Sequence, residues 1–101
     1  SAGLVLGADD DGRVTGMATL LFTVSTALGA RVALLDDLVV DRATRGRGTG
    51  AALMAGVLEA SRAARVARVT LNSDADNDAA HRFYERFGFR RSAMVPFRLN
   101  L

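Results

Sequence analysis

The chain contains no cysteine and no lysine, and it has only one histidine. Without cysteine it can hold neither a disulfide framework nor a thiolate zinc site, and it has no cysteine nucleophile. A single histidine, His81, excludes a multi-histidine metal centre, so we predict no metal. All 13 basic residues are arginine, which excludes a P-loop lysine and a Schiff-base lysine.

Length and composition fit one packed domain over residues 1–101, with half of the residues hydrophobic and 24% charged. The charge is uneven, since residues 1–41 carry a net −4 and residues 42–101 carry +6, which gives the total of +2. Such a division suits a cationic ligand bound beside a phosphorylated one, while scattered solvated charges are the alternative. The arginines lack interleaved exposed aromatic residues, which disfavours a nucleic-acid surface.

The apolar run from Ala18 to Ala30 has the look of a signal-peptide core, but three aspartates at 9–11 precede it where a signal has basic residues. It is too short to span a bilayer, and its period of two is that of a strand. We therefore read it as part of the fold. With no leader and no membrane segment recognised, we expect a cytoplasmic location and no membrane partner.

Hydrophobic periodicity divides the chain into strands and helices. Strands are predicted at 4–8, 14–26, 31–40, 65–72 and 94–101, and helices at 49–64 and 77–87. Short connections make the first three strands antiparallel, whereas the strand–helix–strand unit over 31–72 should be parallel. The predicted fold class is α+β, a mixed and mostly antiparallel sheet with one parallel βαβ unit and two helices.

A glycine-rich loop, Arg45-Gly46-Arg47-Gly48-Thr49-Gly50, precedes the first helix. Glycines let backbone amides approach a ligand, and the helix start adds free N–H groups and a positive dipole end, which together suit a pyrophosphate. A plain connecting turn is the structural alternative. No Lys-Ser or Lys-Thr follows, so a Walker loop is excluded. Gly46, Gly48 and Ala51 also fit a dinucleotide fingerprint with Asp74 as ribose ligand, so a dinucleotide-binding module remains a rival.

Two signatures in this order resemble the GCN5-related N-acetyltransferase family, whose members move acetyl from acetyl-CoA to an amine. The family's loop Arg/Gln-x-x-Gly-x-Gly/Ala is matched by Arg45, Gly48 and Gly50. Its second pattern, Asn-x-x-Ala-x-x-Phe-Tyr-x-x-x-Gly-Phe, is matched by Asn77, Ala80, Phe83, Tyr84, Gly88 and Phe89. The resemblance runs from about Leu4 to the end of the chain and implies the acyl-CoA N-acyltransferase fold.

The resemblance also implies how the donor is held. The end of strand 31–40 would separate from its neighbour, and the Leu38 amide would polarise the thioester carbonyl. Tyr84 would protonate the departing CoA thiolate, and its ring can pack in the core at the same time. Asn77 would contact the cofactor arm, or serve only as a helix N-cap. Expected acetyl-CoA contacts are Leu38, Val39, Val40, Arg45, Gly46, Arg47, Gly48, Thr49, Gly50, Asn77 and Tyr84.

The acceptor amine must lose a proton before it attacks, and a carboxylate near the acetyl group can assist. Asp36 and Asp37 are the candidates, because the sequence from Leu35 to Val40 resembles the acidic-pair strand of small-amine acetyltransferases. Strand alternation would place Asp36 on the same face as Leu38 unless a bulge intervenes. A solvated strand end is the alternative. The expected reaction is direct attack by a primary amine, of a small molecule, in a ternary complex.

The chain departs from the family at its start, where a strand and two helices normally precede the first hairpin. We expect their absence to expose apolar surface on the sheet, and we interpret the chain as a fragment or as a domain completed by a partner chain. The acceptor and the oligomeric state, a homodimer included, stay open. A family member that binds CoA without turnover is the remaining alternative. We expect His81 to be a surface histidine.

Overall fold

The computed structural model describes residues 2–10, 12–42, 46 and 48–101. Their elements, in chain order, are β1 (Ala2–Asp10), β2 (Arg13–Ser25), β3 (Ala30–Val40), α1 (Thr49–Ala63), β4 (Val69–Leu71) and α2 (Asp78–Arg86). None of the helices in these ranges is long and apolar enough to cross a bilayer. The apolar run that resembles a signal core belongs to β2 and the turn after it, as predicted.

One mixed sheet runs in the order β1-β2-β3-β4. The first two pairings are antiparallel, and β3 pairs with β4 in parallel. Gly12 and Gly29 take positive φ angles of 79° and 65° in the two hairpin turns, a conformation that glycine adopts without a steric cost. Helix α1 lies between the parallel strands in sequence, so the predicted α+β class with one parallel βαβ unit and two helices is confirmed.

Helix α1 packs against one face of this sheet and forms the core with it. Leu20 of β2 and Met54 and Val57 of α1 are the largest fully buried side chains. Alternation brings Ala18 to the same face as Leu20, and helical spacing brings Leu53 next to Val57. Half-buried aromatic residues of α2 pack against this cluster from the side.

The opposite face of the sheet, here called the outer face, carries large apolar side chains in contact with solvent. Val5, Met17 and Val39 are 61%, 45% and 54% exposed. The register pairs Met17 with Val39, and Val5 with Thr19, which places these residues on the side away from α1. The exposed apolar surface expected from the sequence is therefore present, and β1 lies at the end of the sheet.

Strand β3 contains a bulge at Asp36. Thr19 pairs with Asp37 and the next residue of β2, Leu20, pairs with Leu35, so Asp36 has no opposing residue. The bulge removes the simple alternation on which the placement of Asp36 beside Leu38 depended. Strand alternation therefore does not decide which face the Asp36 side chain takes.

The predicted strand over 94–101 is wrong. Residues 90–101, here called the C-terminal arm, form no helix or strand, and all of them are exposed. A period of two predicts a half-buried strand, but a strand also needs a neighbouring edge for its hydrogen bonds. The arm pairs with no such edge in the described part of the chain. The alternating apolar pattern is therefore present, but no strand forms.

Candidate active site

The end of β3 presents backbone amides to an open edge. Asp41 N donates to Thr15 O at 2.7 Å, so the antiparallel ladder points the amides of Asp41, Val39 and Asp37 toward β2. The amides of Leu38 and Val40 consequently point the other way, toward the side of β4. There β4 pairs only with residues 33–35, and no other described strand covers the remainder of β3. This agrees with the strand separation that the resemblance implies.

The start of α1 supplies a second set of free donors. Gly48 is the N-cap, its φ is 79°, and no side chain caps the helix. Gly46 also has a positive φ, 85°, so both glycines adopt a conformation that other residues rarely take. The first turn contains no acidic residue, and its amides have no partner within the helix. The arrangement suits an anion.

Three elements meet at Gly50. A Cβ atom at this position would lie 3.6 Å from Val40 and 3.7 Å from Phe83, which belong to the end of β3 and to α2. Gly16 of β2 brings the helix start close to the sheet, because a Cβ atom there would lie only 2.9 Å from Val39 O and 2.9 Å from Leu53. The open edge of β3 and the start of α1 are thus fixed next to each other by close packing.

Tyr84 is half-buried on α2, among aromatic rings. Its ring meets Phe83 edge-on at 5.7 Å between centroids and Phe89 at 6.2 Å. These contacts hold the ring against the core cluster, which also includes Leu38 and Val40 as half-buried members. The packing part of the prediction for Tyr84 is therefore observed, and the role of its hydroxyl stays a prediction.

Asn77 is the N-cap of α2. Its Oδ1 accepts a hydrogen bond from Ala80 N at 3.2 Å, the usual arrangement for a capping asparagine. The sequence allows Asn77 to be a helix N-cap, a cofactor contact or both, and the structure shows the N-cap. Contact with a cofactor remains a prediction for this residue.

Asp36 and Asp37 are both exposed near the open end of β3. Asp37 pairs with Thr19, so its side chain lies on the outer face of the sheet, while Asp36 occupies the bulge. The two carboxylates are therefore close to the Leu38 amide in the chain and accessible to an acceptor. Arg45 and Arg47 of the glycine loop lie outside the described residues.

His81 makes two contacts that sequence reasoning missed. Its Nε2 lies 2.8 Å from Asp74 O and its Nδ1 lies 3.2 Å from Arg91 Nη2. A carbonyl oxygen only accepts and a guanidinium only donates, so Nε2 carries the hydrogen and Nδ1 accepts. The histidine joins the loop before α2 to the start of the C-terminal arm. No pattern in the sequence marks a contact ten residues away along the chain.

The fold brings a bulged strand with a free amide edge next to a helix start that follows two glycines, and this combination suits an extended ligand that carries phosphate. The chain belongs to the acetyltransferase (GNAT) family, whose model matches residues 1–89.

Among curated proteins, the chain is 38% identical over 80 residues to glucosamine 6-phosphate N-acetyltransferase of Trypanosoma brucei brucei. The match covers 78% of this chain and 52% of that protein. The chain therefore spans about half the length of the curated relative.

Solved structures of acetyltransferases that are named for different acceptors have the same fold. Ribosomal-protein-alanine N-acetyltransferase from Brucella melitensis biovar Abortus 2308 is 20% identical with a TM-score of 0.85, over 99% of this chain and 72% of that one. An aminoglycoside acetyltransferase from an uncultured soil metagenomic sample is 21% identical with a TM-score of 0.86, over 98% and 66%. At these identities the likeness establishes the fold and leaves the acceptor open.

Proposed function

We propose that this chain forms the donor-binding part of an N-acetyltransferase that moves acetyl from acetyl-CoA to a primary amine of a small molecule. The observation that carries the proposal is the open edge of β3, where the Leu38 and Val40 amides face away from β2 and no described strand pairs with them. Family membership supplies the donor, since this family is an acetyltransferase family.

The residues present fit acetyl-CoA. The pantetheine arm carries amides that can pair with a free strand edge, and residues 38–40 of β3 offer that edge. The pyrophosphate needs clustered N–H groups, and the uncapped start of α1 after Gly46 and Gly48 offers them, with Thr49 and Gly50 in the first turn. Arg45 and Arg47 would add positive charge there.

The Leu38 amide takes the role of oxyanion donor in this proposal. When an amine attacks the thioester, negative charge develops on the carbonyl oxygen, and a fixed N–H aimed at that oxygen stabilises it. Removing one such donor typically costs about 2.7–4 kcal/mol in an enzyme. This donor is a backbone N–H, so among the natural amino acids only proline at position 38 would remove it.

Tyr84 is the proposed general acid. A phenol can give a proton to a departing thiolate when it lies within hydrogen-bond reach. The aromatic contacts with Phe83 and Phe89 support this role, because they hold the ring in one orientation. Asn77 is proposed as a further contact to the cofactor arm, in addition to its capping bond.

Asp36 and Asp37 are the proposed groups that help the acceptor amine lose its proton. Both are exposed, and both precede the Leu38 amide directly in the chain. The side chain of Asp37 lies on the outer face, where an acceptor has access. The attack is direct, in a ternary complex, with the amine and acetyl-CoA bound together.

A small amine is proposed as acceptor on two grounds. The acidic pair next to the donor site suits a cationic substrate, and the curated relative that matches at 38% identity is named for an amino-sugar phosphate. We propose a cytoplasmic location because acetyl-CoA is available there.

The test is CoA release from acetyl-CoA in the presence of different amines: glucosamine 6-phosphate, an aminoglycoside and an alanine-terminated peptide. A thiol reagent reports free CoA without background from the protein, because the chain has no cysteine. We expect release that depends on a small amine and exceeds that with the peptide. If acetyl-CoA binds but none of the amines accelerates release, the proposal fails and binding without turnover takes its place.

A further inference from the structure

His81 is half-buried and joins three segments of the chain. Its Nε2 donates to Asp74 O at 2.8 Å, seven residues back in the loop before α2. Its Nδ1 accepts from Arg91 Nη2 at 3.2 Å, ten residues further along in the C-terminal arm. Both ring nitrogens are therefore used, and this pair of contacts exists only while the imidazole is neutral with its hydrogen on Nε2.

The segment that contains Arg91 runs back along α2 past Tyr84. Phe89 N donates to Tyr84 O at 3.2 Å, and the two rings meet at 6.2 Å between centroids. Positions 81 and 84 are three apart, so His81 and Tyr84 share one face of the helix. Phe89 contacts Tyr84 and Arg91 contacts His81, so residues 89–91 follow that face in the opposite direction. The contact between His81 and Arg91 thus fastens the segment that packs on Tyr84.

Helix α2 has few other means of fixing its position. It is nine residues long, and none of its residues is fully buried. A helix of this length has little stability of its own in water. Asn77 caps its start through Ala80 N, and Phe83 and Phe87 pack against the core cluster as half-buried residues. The placement of Tyr84 therefore depends on contacts at the two ends of the helix.

We propose that neutral His81 is a positioning residue, which holds the loop before α2 and residues 89–91 against the helix and so keeps the Tyr84 hydroxyl in reach of the departing thiolate. This inference rests on the function proposed above for Tyr84. A protonated imidazole has no acceptor nitrogen, and its positive charge repels the guanidinium of Arg91. Protonation of His81 consequently releases residues 89–91 from the helix.

The charged surroundings of His81 leave Arg91 as the group in direct contact with the ring. Asp74 contacts it through its carbonyl oxygen, not through its carboxylate. The other titratable or charged residues in the loop before α2 and within one helical turn of His81 are Asp76, Asp78, Arg82, Tyr84 and Glu85. In residues 72–91, all of which the structure describes, no carboxylate forms an ion pair with the ring.

The first test removes the contact from either side. The chain has one tyrosine and no tryptophan, so its tyrosine fluorescence reports Tyr84 alone. We expect His81→Ala and Arg91→Ala each to lower kcat for CoA release, by about 10–100-fold for His81→Ala, and to leave the KM for acetyl-CoA unchanged. Both should change the Tyr84 fluorescence. The double variant should lose no more than His81→Ala alone, because both changes remove one contact.

Arg82→Ala is the matched control, since Arg82 is the exposed neighbour of His81 on α2. It should keep both kcat and the Tyr84 fluorescence. An unchanged kcat in both His81→Ala and Arg91→Ala, in a chain that turns over, overturns the proposal. So does a Tyr84 fluorescence that neither variant alters.

A second test uses His81→Gln, whose amide offers a donor and an acceptor but takes no charge. In the unmodified chain we expect the Tyr84 fluorescence to change between about pH 8 and pH 5, where histidine gains its charge. His81→Gln should keep the fluorescence seen at high pH and lose this change. Fluorescence is the readout because protonation of the acceptor amine alters kcat as well.

The fluorescence test needs no turnover, so it separates the two claims. A chain that shows the expected fluorescence changes without releasing CoA contradicts the proposed function and leaves the placement of Tyr84 by His81 supported. A fluorescence change with pH that survives in His81→Gln overturns the placement, whatever the activity.

Discussion

The two faces of the sheet differ in how much this chain covers them. On the α1 face, Leu20, Met54 and Val57 are fully buried and the start of α1 is packed tightly on β2 and β3. On the outer face, Met17 and Val39 stand half exposed, although they lie in the same strands. The proposed donor site adjoins the covered face, where packing can hold backbone amides in place.

The outer face is exposed to solvent, and it is the side on which we propose that the acceptor binds. Asp37 lies on it opposite Thr19, and the apolar pair Met17 and Val39 lies next to them in the register. Relatives of the same fold are named for a ribosomal protein and for an aminoglycoside, so the fold alone does not fix the acceptor. The residues of the proposed donor site should therefore tolerate few changes, whereas the outer face, apart from Asp37, should tolerate many.

The largest effect is expected at Tyr84, and in rate rather than in stability. Tyr84→Phe keeps the ring contacts with Phe83 and Phe89 but removes the hydroxyl. We expect kcat to fall about 10²–10⁴-fold, because a general acid contributes that much. Steady-state assays of CoA release measure it, and the binding of acetyl-CoA should stay intact. An unchanged kcat would remove Tyr84 from the proposed chemistry.

A methionine-to-alanine substitution on each face compares the two faces directly. Met54→Ala on the covered face should lower the free energy of unfolding by about 2–5 kcal/mol, since it leaves a cavity in a fully buried site. Met17→Ala on the outer face should lower it by less than about 1 kcal/mol. Urea denaturation of both variants gives the difference. Equal losses would mean that the outer face is covered in solution.

Glycine positions allow a second matched pair. Gly16→Ala would place a Cβ atom 2.9 Å from Val39 O, so β2, β3 or α1 must shift. We expect a loss of about 1–3 kcal/mol in the free energy of unfolding, the usual cost of overpacking. Gly7→Ala on β1 meets nothing within 4 Å and should change it by about 0.5 kcal/mol or less. If Gly16→Ala proves as well tolerated as Gly7→Ala, the close packing of the helix start is not as described.

The smallest effect is a gain in stability at the end of α1. Arg65 has a φ of 58°, a left-handed conformation that costs a residue with a side chain about 1–2 kcal/mol. Arg65→Gly should therefore stabilise the fold by about 0.5–1 kcal/mol after the greater freedom of glycine in the unfolded chain is subtracted. Arg62→Gly, inside the helix, should destabilise it by about 1 kcal/mol. Thermal melts compare the two variants, and a loss at Arg65 would contradict the assignment.

Much of the fold could be predicted because local signals and long-range packing agree. The alternation in β2, the helical spacing of Leu53, Met54 and Val57, and the positive φ at Gly88 after α2 all match their sequence patterns. The glycine-loop motif likewise predicts Gly48 and Gly50 at the start of α1, where the structure has them.

The failures have physical causes. The bulge at Asp36 depends on how β2 and β3 pair, and no pattern within β3 encodes that register. The arm carries the pattern of a strand, but whether it becomes one depends on a partner edge far away along the chain. The contact of His81 with Arg91 is likewise a product of the tertiary fold.

A thermal melt of this chain with acetyl-CoA, and with NAD in parallel, tests most directly whether the open edge of β3 and the start of α1 bind acetyl-CoA. A ligand present at about a hundred times its Kd adds about 2.7 kcal/mol, which raises Tm by roughly ten degrees or more for a domain of this size. We predict that rise with acetyl-CoA and none with NAD. A rise with NAD alone, or no rise with acetyl-CoA, would contradict the account.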